Sequence, residues 1–156
     1  MSSAADRVLV RALLGREPQV DFHVAVRDAN GQPIVLRNAP FLDNGSPMPT
    51  RYWLVGPSQV LAVSRLEAQG GVRQAEAAIE PQQIAIAHAM YAAERDALVP
   101  NDHVGPRPFG GVAGTRQGVK CLHAHYAWFL AGGPDPVGAW VSDQLAQLEN
   151  GQANHT

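Results

Sequence analysis

The sequence predicts an α+β fold: a small antiparallel sheet, a hairpin plus a third strand, packed by four to five α-helices in a single domain. Three observations carry this reading. Apolar and polar residues alternate over 20–27 and run into Asn30-Gly31, the strongest short hairpin signal in the chain. Apolar residues recur at helical spacing in five other stretches, each bounded by proline, glycine or a capping residue. The 156 residues are 46% hydrophobic and 17% charged, enough for one buried core.

In chain order, Ser3 and Asp6 fit an S-x-x-D capping box ahead of a short helix over 4–14, with Gly15 as its stop. Val20, Phe22, Val24 and Val26 share one face of the first strand, while Asp21, His23 and Arg27 share the other. Ile34–Arg37 is the return strand. Residues 38–50 are rich in Pro, Gly and Asn and read as a loop with a second tight turn at Asn44-Gly45. Tyr52–Val55 is the third strand. Pro57-Ser58 opens a helix with Val60, Val63 and Leu66 on its buried arc, ended by Gly70-Gly71. Pro81 begins another, with Ile84, Ala87, His88, Tyr91 and Leu98 on one stripe. Residues 99–118 hold five glycines and are too long for a simple connector. Helices over 119–131 and from about Pro136 to Leu148 follow. The domain is expected to span 1–150, with 151–156 a disordered tail.

The net charge of −2 and pI near 6.3 argue against a nonspecific nucleic-acid binder. No apolar run approaches a membrane span or a signal peptide. A single cysteine cannot form an internal disulfide and suits a reducing, cytoplasmic setting.

Function is expected to sit in 107–125. The segment GVKCLHAHYAW (118–128) holds the only lysine, the only cysteine and two of six histidines. Cysteine and histidine are ligands for zinc-like metals. On a strand, Cys121, His123 and His125 would point one way. On the helix that the apolar pattern favours, His123 turns about 160° from Cys121 at 100° per residue. Only Cys121 and His125 would then be neighbours, with Asp28, Asp102 or His103 as further ligand candidates. Simple core packing of the three is an open reading, and no metal is favoured. The cofactor is unknown.

The other reading is a ligand site at the helix start. The run Gly110–Gly118 leads into a helix whose free N–H groups and dipole attract anions. Gly111, Gly114 and Gly118 would allow close backbone approach. Thr115 adds a hydroxyl, and Arg107, Arg116 and Lys120 add charge. The pattern is not a Walker loop, because Val119 separates Gly118 from Lys120. His123 or His125 would move protons if the ligand turns over. His88 on its apolar stripe reads as a core histidine. Arg65 and Glu67 read as surface charges. No G-x-S-x-G elbow or H-E-x-x-H motif is present.

Four motifs in order resemble the actinobacterial domain-of-unknown-function family 501. They are D-R-x-x-x-R-x-L-L-G-R-E-P (6–18), A-P-x-L-D-x-G-x-P-x-P-T-x-Y-x-L (39–54), S-R-L-E-x-x-G (64–70), and G-V-K-C-L-H with A-G-G and D-P-V-G (118–138). The resemblance implies a small cytosolic bacterial protein without an assigned activity. It also implies a gene often placed beside a septum-formation initiator and an exopolyphosphatase-like protein. The chain departs from that pattern at Asp28–Gly31, where many members carry cysteine, and at Trp128, where many carry histidine. The leading expectation is a binder of a phosphate-bearing or carboxylate ligand. The alternatives are a protein-interaction adaptor linked to division or envelope control, using 40–53 as its surface, and a metal-dependent enzyme using the KCLHAH segment.

Overall fold

The Ser3 hydroxyl accepts the Asp6 N–H at 3.1 Å and so starts α1 (Ala4–Leu14). The Asp6 carboxylate turns to Arg27 at 2.7 Å, which ties the helix to the end of the first strand. Gly15, at φ 72°, closes the helix as its position predicts. The computed structural model describes residues 2–153.

The sheet has the order β1-β2-β3, with β1 (Val20–Arg27), β2 (Pro33–Leu42) and β3 (Tyr52–Leu54) all antiparallel. Asp28 shapes the β1–β2 turn, its Oδ1 accepting the N–H groups of Asn30 and Gln32. A register shift between Val24 and Val26 breaks the expected alternation: Val24 packs on one face of the sheet, Val26 on the other.

β2 runs five residues past the expected strand, into the Pro-rich segment. Leu42 pairs with Val20, and the Asn44-Gly45 turn folds 46–48 back onto the strand through Leu42 N–H to Ser46 O and Met48 N–H to Pro40 O. Pro40 offers only its carbonyl there, which is all that position requires. Segment 40–53, the expected partner surface, is therefore largely sheet and return turn, with Pro40 and Tyr52 buried.

Adjacent residues of β2 face opposite cores. Leu36 packs with Val10, Phe22 and Val55 under α1. Val35 packs with the remaining helices: α2 (Pro57–Ala68), α3 (Gly71–Ala78), α4 (Pro81–Asp96), α5 (Leu122–Leu130) and α6 (Pro136–Ala153). The α-helices among the described residues number six, against the four to five expected. Gly70-Gly71 ends α2 but also starts α3. A Cβ on Gly71 would lie 2.7 Å from Leu66 O and 2.9 Å from a Leu122 methyl, so only glycine lets the two helices join so closely. Helix α6 continues past Leu148 to Ala153; the rest of the expected tail, 154–156, lies outside the described residues.

The α4 stripe carries Ile84, Ala87, His88 and Tyr91 inward as expected. Its last position is Arg95, not Leu98, which is exposed beyond the helix end. The buried Arg95 guanidinium donates to Pro49 O, Phe109 O and Gly110 O and to the Asp96 carboxylate. His88 Nδ1 accepts from Val112 N–H at 3.1 Å, so Nε2 carries the proton and donates to Gly118 O at 2.7 Å. Two polar side chains of one helix thus hold the long 99–118 loop in place. No helix among the described residues is long and apolar enough to cross a membrane.

Candidate functional site

The expected helix over 119–131 begins three residues late. Gly118 takes φ 64°, the left-handed region, beside the Glu76 carboxylate. Glu76 accepts the Val119 N–H at 2.8 Å and Glu67 accepts the Leu122 N–H at 3.1 Å. These two contacts hold 119–121 out of the helix, and Cys121 is extended, at φ −152° and ψ 127°. The helical-wheel separation of Cys121 and His123 therefore does not apply. Their side chains meet, with Cys121 Sγ 3.6 Å from His123 Nδ1.

Helix α2 supplies the rest. Val60, Ser64 and Glu67 stand at i, i+4 and i+7, one face of a helix. Glu67 Oε1 lies 2.9 Å from His123 Nδ1 while its other oxygen holds Leu122. His123 Nε2 lies 3.0 Å from Ser64 Oγ and 3.3 Å from Val60 O. The Glu67, Cys121 and His123 donor atoms all fall within 4.8 Å of one another, and each residue is partly exposed. The Cys121 contact, above all, raises the His123 pKa against the effect of burial, with the Glu67 charge adding to it. Burial is the largest influence on Cys121 and opposes its ionisation, but the His123 contact, the Ala124 N–H and the His123 charge together outweigh it and hold the thiol below its ordinary value.

Cys121 and His123 line a cleft of about 620 Å³. Its wall is apolar at Met48, Trp53, Leu54 and Val60, and Arg16 and Lys120 stand at it.

The structure does not bring the expected anion-binding residues to one place. Lys120 lines this cleft, whereas Gly111 and Arg116 line a second one, of about 370 Å³, with His88, Arg95 and Phe109. Arg116 lies 4.1 Å over the Phe109 ring. Thr115 Oγ1 donates to Gln117 O, Gly114 (φ 74°) turns the loop beside Pro49, and Arg107 is exposed on it. The Val119 and Leu122 amides, which the anion reading needs, are occupied by the chain's own carboxylates.

The expected Cys121–His125 neighbourhood is also corrected. His125 is fully buried and turned away, with Nδ1 2.6 Å from Asp135 Oδ2. The other Asp135 oxygen accepts the Val137 and Gly138 N–H groups and caps α6. Asp28 is engaged in the β1–β2 turn and is not part of the Glu67–Cys121–His123 group. His103 stacks on Phe41 and contacts Pro106 O. Sequence reasoning missed Glu67 as a site residue. The available signal was that Ser64 and Glu67 flank the buried Val63 and Leu66 at i, i+3 within the S-R-L-E motif.

No curated protein and no solved structure matches the chain. One family does: the model for "Protein of unknown function (DUF501)" matches residues 24–143, a span that contains Ser64, Glu67, Cys121 and His123. With most of its length so matched, the chain belongs to the DUF501 family.

Proposed function

We propose that Glu67, Cys121 and His123 bind a borderline transition metal of the zinc kind, with a fourth position open to the cleft, and that the protein is a metal-dependent catalyst. One observation carries this: the acid and the thiol both converge on the same imidazole nitrogen, Nδ1. In a cysteine nucleophile with its histidine base, an orienting acid would sit on the far nitrogen. Here the far nitrogen faces the Val60 carbonyl and the Ser64 hydroxyl. Donation from Nε2–H to Val60 O leaves the Nδ1 lone pair aimed at the group, the outer-shell arrangement that orients a metal-ligating histidine. The Leu122 N–H orients the Glu67 carboxylate in the same way.

The spacing also suits a small ion. Zn–S near 2.3 Å and Zn–N near 2.0 Å at a tetrahedral angle put sulfur and nitrogen about 3.5 Å apart, against 3.6 Å between Sγ and Nδ1. Three protein ligands, two of which line a cleft, match the catalytic pattern, whereas structural zinc sites close with four. A metal there would lower the pKa of a bound water or polarise a substrate oxygen. Without it, Nδ1 holds a proton between carboxylate and sulfur, so loading should release protons.

The test is metal content after purification without chelators, followed by cobalt substitution. We expect close to one equivalent and a sulfur-to-cobalt charge-transfer band that Cys121→Ser abolishes. Absence of bound metal together with no cobalt band would end the proposal.

A further inference from the structure

Resting on the metal reading, we infer that the cleft beside Cys121 and His123 takes a dianionic phosphate-type substrate with an apolar body. Charge and shape both point to such a ligand. A divalent metal held by the Glu67 carboxylate and the Cys121 thiolate makes a centre of no net charge. The charged side chains that remain at the cleft are Arg16 and Lys120, both cationic. Neither has an ion-pair partner among the described residues, so both charges are available to a ligand in the cleft. No carboxylate among the described residues lines the cleft itself.

Two unpaired positive charges beside a neutral metal centre balance a head group of charge near −2, that of a phosphate monoester at neutral pH. A carboxylate would satisfy only half of that charge. The opposite requirement comes from the wall. Met48, Trp53, Leu54 and Val60 offer apolar surface that inorganic phosphate would leave uncovered. A substrate that joins a phosphate group to a hydrophobic or aromatic body meets both. The terminal phosphate would reach the open metal position, and Lys120, next in sequence to Cys121, is placed to hold an oxygen of the same group.

The experiment uses the cobalt-loaded full chain and phenylphosphonate, a non-hydrolysable dianion with an apolar ring. Titration should perturb the cobalt visible spectrum saturably. Benzoate should bind about tenfold more weakly, a loss of about 1.4 kcal/mol, and benzyl alcohol not at all. Arg16→Ala and Lys120→Ala should each weaken phenylphosphonate several-fold and leave the charge-transfer band intact. A normal band with no phenylphosphonate response overturns the substrate assignment alone. Equal affinity for benzyl alcohol, or unchanged affinity in both variants, does the same. No band at all overturns the metal reading. A phenylphosphonate-dependent rise in melting temperature of the metal-free protein, lost in Lys120→Ala, would then still support the cleft assignment, and no rise would remove it.

Discussion

His123 and His125 stand two residues apart on α5, yet one is built into the fold and the other faces a cleft. A step of two residues turns a helix by about 200°. That rotation puts His125 between α5 and α6, fully buried and held by Asp135, which in turn caps α6. Among the described residues His125 Nε2 is buried with no partner. With Nδ1–H donated to Asp135 it is a bare acceptor, and the nearest ring is His88, 5.6 Å away between centroids. His123 is turned toward α2, its side chain about a quarter exposed. Three polar groups from another helix surround it, more than packing requires. The difference shows that a histidine's role is set by what the neighbouring helix presents, not by its position in a motif.

The strongest way to break this comparison is to remove Asp135. Asp135→Ala leaves the His125 Nδ1–H without its acceptor and the Val137 and Gly138 N–H groups uncapped, all in the interior. Leaving that buried donor unsatisfied costs about 1–3 kcal/mol, and the lost cap adds about 1 kcal/mol. Urea unfolding should show the loss directly. Asp135→Asn keeps the cap and should lose less, so a folded variant is available. Its cobalt affinity should equal that of the parent protein. A drop in metal binding would show that the buried pair and the open group are one unit.

The opposite change is made at His123. His123→Ala should abolish cobalt binding and change stability by less than about 1 kcal/mol, because its ion pair with Glu67 is partly solvated and such pairs contribute little. His125→Ala should do the reverse, destabilising the protein by several kcal/mol without removing the band from the fraction that folds. Ser64→Ala sharpens the comparison further. Ser64 touches His123 but is not a proposed ligand, and outer-shell losses cost about 10–100-fold in metal affinity. With Val60 O still in place, the low end, about tenfold, is expected. No change would mean that the Ser64 contact plays no part in orienting the ring.

Much of the fold was legible because its signals are local. The α1 cap, the Asn30-Gly31 hairpin, the proline starts of α2 and α4 and the α+β class all follow from neighbours in sequence. What was not legible depends on distant partners. β2 extends through Pro40 because Val20 and the 46–48 return pair with it, and composition does not report pairing. Arg95 reads as a surface residue until the loop carbonyls that surround it are known. The site shows the same limit. The 118–125 segment that the sequence singles out holds Cys121 and His123 of the candidate group. But its helix start was set by Glu67 and Glu76, roughly fifty residues earlier, and a three-residue error there changes which side chains meet. The glycines that suggested an anion cradle serve turns instead: Gly118 gives the left-handed turn beside Glu76, and Gly111 lies against His88 with no room for a Cβ.

The smallest expected effect is on pH dependence, and it separates the histidines by sign. His123 has its pKa raised in the folded metal-free protein, by Cys121 first and Glu67 after it. The folded state therefore binds more protons than the unfolded state between the ordinary value of 6.5 and the raised one. Its contribution is complete below that window and is lost as pH rises through it. His88 is the opposite case, its pKa lowered mainly by burial. There the unfolded state binds more protons just below 6.5, so the contribution is present above that pH and lost on acidification. Urea midpoints of the metal-free protein from pH 5 to 8 should fall on the acidic side through His88 and on the alkaline side through His123, the latter offset in part by Cys121, whose lowered pKa adds stability as pH rises towards its ordinary value of 9.0. His123→Gln should flatten the alkaline limb alone, by less than about 1 kcal/mol given the ring's partial exposure. His88→Gln should flatten the acidic limb. Metal loading should abolish the alkaline limb even in the parent protein, because a ligated Nδ1 no longer titrates; an alkaline limb that persists with metal bound would place the ion away from His123.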